Sequence, residues 1–124
     1  GEIDIMEHVG YMPDSAFGSL HSKTYNHAIG TQKTKGVYVT NPYNTFHVFG
    51  IEWTPDEISF FLDGKMYYKE YNEHKTFAEW PFDKRFHLLL NMAVGGNWGG
   101  KEGVDESVFP ATMLVDYVRV YQAE

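Results

Sequence analysis

Cysteine is absent from the 124 residues, which excludes a disulfide framework and thiolate metal sites. That absence does not assign a compartment, since many secreted bacterial proteins also lack cysteine. No run of 18 apolar residues occurs, so no helix here would span a bilayer, and no charged-then-apolar leader opens the chain. A mature secreted chain remains compatible with both observations. Basic residues are few: ten stand against seventeen acidic ones, and the net charge of −7 repels phosphate backbones and anionic lipid surfaces. Nucleic acid and membranes are therefore set aside as partners. The six histidines form no H-E-x-x-H or similar pairing, so a catalytic transition metal has no ligand set. "GGNWGG" (95–100) lacks the Lys-Ser/Thr ending of a phosphate loop and the helix and acid of a dinucleotide fold.

Aromatic residues are abundant at 17%, and such rings serve either as core or as platforms on which flat ligands stack. Strand patterns follow one another with little helical signal. Residues 2–8 and "FGSLHSKTY" (17–25) alternate, "NTFHVFGIEW" (44–53) is rich in β-formers, and "EISFFLDGKMYYKEY" (57–71) sets two β-runs around Asp63-Gly64, a strong hairpin signal. The stretch 72–83, cut by Pro81, is the one place for a short helix or turn. "RFHLLLNMAV" (85–94) is expected to be a buried strand. "TMLVDYVRVYQ" (112–122) is expected to be a strand with Leu114, Asp116, Val118 and Val120 on one face and Val115, Tyr117, Arg119 and Tyr121 on the other. Roughly seven strands without helical crossovers predict an all-β antiparallel sandwich or barrel, a single domain over 1–124.

"GEIDIMEHVG" at the start sets Glu2 and Asp4 in phase and Glu7 out of phase. Acids on an alternating strand are read first as a solvated face. A β-bulge near Ile5-Met6, with two residues opposing one, would return Glu7 to the face of Glu2 and Asp4. Two glutamates leaning together could then approach the roughly 5–5.5 Å carboxyl separation of a retaining glycosidase. One attacks the anomeric carbon while the other protonates the leaving oxygen and later activates water. A third carboxyl between them can hold a shared proton and push neighbouring titrations apart.

"EIDIME" resembles the E-x-D-x-x-E signature of glycoside hydrolase family 16, in the bulged form of its laminarinase and agarase branch. "FHVFGIEWTPDEISFFLDG" (46–64), "WPFDKRFHLLLNMAVGGNWGG" (80–100) and "FPATMLVDYVRVYQ" (109–122) are similar, in the same order, to segments that follow the signature in family laminarinases. The resemblance implies a concanavalin A-like β-jelly roll and a secreted (extracellular or periplasmic) endo-β-1,3-glucanase acting on a β-glucan polysaccharide with retention. No cofactor is needed for that catalysis. It implies Glu2 as nucleophile, Asp4 as its assisting carboxylate and Glu7 as general acid/base. Rival readings are a hydrolase of mixed-linkage glucan or agarose-type galactan, and a non-catalytic glucan-binding lectin-like module. Such modules are expected to lack the three acids.

His21 resembles a histidine that contacts sugar in the family's cleft. Trp98 on the glycine-rich loop could stack on a pyranose, and Asn91 within an apolar run could meet a sugar hydroxyl. Trp80 and His47 are weaker suggestions, and core packing is favoured for Trp53; His8, beside Glu7, reads as structural. Asp116 matches an aspartate that helps hold a structural calcium in many family members. Family domains begin well upstream of the signature, so the chain resembles the C-terminal half of a jelly roll. A complementary N-terminal fragment, or self-association, is expected to cover its open sheet faces.

Overall fold

Side chains alternate along β1 (Glu2–Glu7), β2 (Ser15–His21) and β3 (Lys33–Tyr38), which form one antiparallel sheet in the order β1-β2-β3. In the computed structural model, which describes residues 1–122, β4 (Phe49–Trp53), β5 (Glu57–Leu62) and β6 (Lys65–Tyr71) form a second sheet in the order β4-β5-β6. The β5-β6 hairpin turns at Asp63-Gly64, where both residues take positive φ (50° and 78°) as a tight two-residue turn requires. The described residues fall into two compact units, Gly1–Leu88 and the residues from Leu89 onward.

Both sheets lie in the first unit, and its core forms where their apolar positions meet. Leu20 of β2, Ile58 and Phe60 of β5, and Trp80 and Phe82 from the turn region are buried together, with Ile3, Ile51, Tyr67, Tyr68 and Phe86 packed around them. A bulge on β6 shapes this cluster: Phe60 pairs with Tyr68 and Phe61 with Met66, leaving Tyr67 as the extra residue. Both tyrosine rings therefore reach Phe60, Tyr68 stacked at 5.2 Å and Tyr67 tilted at 6.3 Å. The sheets are also tied at one edge, where Lys33 of β3 pairs with Glu70 of β6 at 2.9 Å and with Glu73 at 3.2 Å.

The stretch 72–83 forms turns rather than a helix, and Trp80 enters the core while its indole Nε1 donates to the Pro55 carbonyl at 2.8 Å. Trp53 likewise donates from Nε1 to the Phe82 carbonyl at 2.7 Å. His47 closes the loop before β4, with Nδ1 2.7 Å from Asp63 and Nε2 2.8 Å from the Thr40 carbonyl. Two acceptors on one imidazole call for both nitrogens to carry protons; the Asp63 hydrogen bond raises the His47 pKa, and the reciprocal bond lowers that of Asp63.

The second unit corrects two expectations. Residues 89–94 and 112–122 have the apolar pattern of strands but no ladder partner among the described residues, and they stay exposed. Hydrogen bonds to a neighbour make a strand, and sequence pattern alone supplies none. Within this unit, Asp105 caps a short 3-10 turn (Glu106–Val108), accepting from the Ser107 amide at 2.9 Å, and the Arg119 guanidinium lies 4.1 Å from the Tyr117 ring centre.

Gly18 lies directly against the second sheet: a Cβ there would lie 2.6 Å from both the Phe60 ring and the Tyr67 hydroxyl. Gly18→Ala is expected to cost about 1–3 kcal/mol in denaturant unfolding. Gly50→Ala on β4, where a Cβ meets nothing within 4 Å, should be near neutral; equal losses at both positions would contradict this packing.

Candidate active site

Ladder pairs decide which side chains share a face. Glu2 pairs with His21, Asp4 with Ser19 and Glu7 with Phe17, while Ile3 pairs with Leu20 of the core. Directly opposed residues project to the same side of a sheet, so Glu2, Asp4, Glu7, Phe17, Ser19 and His21 all stand on the face opposite the core. The register shifts between Asp4 and Glu7, where Ile5 and Met6 together oppose Gly18. The bulge anticipated from the out-of-phase acid is present at that position.

Asp4, Glu7 and His21 each bring an atom to within 4.8 Å of the other two. His21 Nε2 lies 3.4 Å from Asp4 Oδ2, and the edge of its ring meets His27 with centres 5.4 Å apart. Asp4 Oδ2 and His21 Nδ1 are buried without a hydrogen-bond partner. Burial, then the charges of Glu7 and Glu2, then a hydrogen bond with Glu2, push the Asp4 carboxyl up to about 7. Below neutral pH it is thus a neutral acid, which donates its proton toward Glu2. The third carboxylate is the one that holds a proton to the higher pH, because three negative charges packed together are costly and Asp4 is flanked by the other two.

Glu7 is held from the next strand, where Ser19 Oγ donates to its Oε2 at 2.7 Å. Ser19 and its neighbour Thr34 on β3, whose hydroxyls are 2.7 Å apart, were missed in the sequence. The available signal was the alternation of Ser19 with His21 on β2. Phe17, opposite Glu7, lies against Gly36 of β3, where an added Cβ would come within 3.0 Å of its ring. His8 turns away to the Ser15 carbonyl (2.8 Å) and the Tyr43 hydroxyl (2.9 Å).

Asn91, Trp98 and Asp116 belong to the second unit. Asn91 is exposed on an unpaired segment rather than inside a buried strand, which removes the pressure for it to find a partner. Trp98 is 39% exposed in the glycine-rich turn. Among the described residues, Asp4, Glu7 and His21 form the one group of three spaced to hold a cation. Asp116 joins no such group among the described residues.

A β-sandwich presenting two glutamates and a proton-sharing aspartate on one open sheet face has the constitution of a carboxylate-pair glycosidase. The model of "Glycosyl hydrolases family 16" matches residues 1–119, and the chain belongs to that family. It is 54% identical to a β-glucanase of Rhodothermus marinus over 98% of this chain and 44% of that protein. The crystal structure of the laminarinase from Rhodothermus marinus superposes with a TM-score of 0.84 at 49% identity, covering 87% of this chain and 45% of that one. A non-specific endo-β-1,3(4)-glucanase of the same family, crystallised with a glucan at its active site, gives a TM-score of 0.83 at 42% identity over 87% of this chain and 42% of that one. The fold is the jelly roll of these enzymes, and the chain spans less than half the length of each.

Replacing Asp4 tests the proton-sharing arrangement. With a native pKa of about 7 and an ordinary value of 3.8, the folded state holds a proton that the unfolded state has lost between those values. Stability contributed here therefore falls as pH rises from about 4 to about 7, by an amount on the order of a few kcal/mol. Asp4→Asn, which stays neutral, should lose that fall and melt higher than the parent at pH 8. Parallel stability curves for parent and variant would refute the shift.

Proposed function

We propose that the protein is a retaining endo-β-1,3-glucanase of laminarinase type, with Glu2 as nucleophile and Glu7 as general acid/base. The observation that carries this reading is the β1 bulge, which stands Glu2, Asp4 and Glu7 on one face. The Glu2 carboxylate attacks the anomeric carbon as Glu7 gives its proton to the departing glycosidic oxygen, forming a glycosyl ester on Glu2. Glu7, now ionised, takes a proton from water, which attacks the same carbon and releases Glu2 as a carboxylate. Asp4 hydrogen-bonds Glu2 throughout, and a neutral donor there makes Glu2 a better leaving group in the second step.

The β-1,3-glucan substrate and internal cleavage rest on likeness to the Rhodothermus β-glucanase and laminarinase. His21 beside Asp4 then contacts sugar near the cleavage point, and Trp98 and Asn91 serve as further substrate contacts, with any structural calcium at Asp116. A polymer too large to enter a cell places the enzyme outside it, as a secreted protein of carbohydrate metabolism. Leu89, Leu90, Leu114 and Val120, all more than half exposed, mark apolar segments that further chain covers, either a complementary segment or a second copy.

Reducing-sugar release from laminarin, lichenan and agarose tests the assignment in the protein. Laminarin should be the best substrate, with the β-anomer appearing first in NMR of the products. Glu2→Gln should leave no measurable turnover, and Glu7→Gln should lower kcat about 10²–10⁴-fold. Undiminished hydrolysis by Glu2→Gln, or an α-anomer formed first, would overturn the mechanism.

A further inference from the structure

We infer that Ser19 and Thr34 form a hydroxyl relay that positions Glu7 and fixes which of its oxygens carries the transferable proton. Ser19 lies in one ladder row with Asp4 on one side and Thr34 on the other. Its hydroxyl passes over its row partner Asp4 and donates to Glu7 Oε2 at 2.7 Å. The bulge makes this possible, since it moves Glu7 into line with Phe17, the residue two before Ser19 on the same face.

A hydroxyl has one proton to give. With the Ser19 proton directed at Glu7, the contact between Ser19 Oγ and Thr34 Oγ1 (2.7 Å) takes its proton from Thr34. The alternative acceptor for Thr34, the Gly18 carbonyl, is farther away at 3.3 Å. The relay therefore runs Thr34 to Ser19 to Glu7, each bond polarising the next. Ser19 is 2% exposed, so water does not compete for its hydroxyl. With Oε2 occupied by an incoming donor, the proton that Glu7 transfers sits on Oε1. In the second half of the reaction, Oε1 receives the proton from water. Neither hydroxyl touches the reacting atoms, so both act through Glu7.

This inference rests on the acid/base role proposed for Glu7, and its test separates the two. On laminarin, Ser19→Ala should lower kcat about tenfold with KM little changed, and the alkaline limb of kcat/KM should move to higher pH. On a laminaribioside with a dinitrophenyl leaving group, which departs without protonation, formation of the glycosyl-enzyme should proceed at the parent's rate. Ser19→Thr should restore laminarin hydrolysis, and Thr34→Val should reproduce the Ser19→Ala effect in weaker form. Equal losses on both substrates, or an unmoved limb, would overturn the relay. A second readout needs no turnover: the Ser19 hydroxyl proton should give a solvent-protected NMR resonance that disappears in Glu7→Ala and exchanges faster in Thr34→Val. Absence of a protected resonance in the parent would overturn the relay even if laminarin is cleaved. Its presence in a parent that cleaves no glucan would sustain the hydrogen bonds and overturn the positioning of an acid, along with the acid/base role itself.

Discussion

One extra residue in β1 governs the rest of this site. Without the bulge, continuous pairing from Glu2 opposite His21 would set Glu7 against Ala16, which is 3% exposed and faces the core. An unpaired carboxylate there would carry a desolvation cost of several kcal/mol. With Ile5 and Met6 together opposing Gly18, Glu7 crosses to the open face and the same sequence yields a row of acids over a dry sandwich.

Placing the acids together creates an electrostatic problem that the sheet resolves locally. Asp4, the most hemmed in, keeps its proton toward neutral pH through burial and the adjacent charges of Glu7 and Glu2. Glu7 is engaged instead by the Ser19 hydroxyl. Two carboxyls of one strand thus meet different donors, Glu2 the Asp4 carboxyl and Glu7 the Ser19 hydroxyl. The core beneath holds this geometry through Leu20 and Phe60, with Gly18 keeping the sheets in close approach.

Much of this was legible because it follows from alternation. The out-of-phase Glu7 announced a bulge, and Asp63-Gly64 announced the β5-β6 hairpin with its paired positive φ values. The third strand was not legible: "KTKGVY" places lysines at positions that alternate toward the core, and only the sheet edge lets Lys33 reach Glu70 and Glu73. Alternation with His21 placed Ser19 on the acid face, but its contact with Thr34 joins residues of different strands, and the sequence names no partner across a ladder. Residues 85–94 and 112–122 were read as strands from apolar pattern, which reports a face to be covered but not the neighbour whose hydrogen bonds complete a ladder. The Rhodothermus relatives are more than twice as long as the region matched.

The central claim is that the bulged strand carries a nucleophile at Glu2. An activated 2-deoxy-2-fluoro laminaribioside slows the second half-reaction and traps the glycosyl-enzyme, so peptide mass spectrometry can locate the bond. The account predicts a single label on Glu2; a label on Asp4 or Glu7, or stoichiometric turnover with no trapped ester, would contradict it.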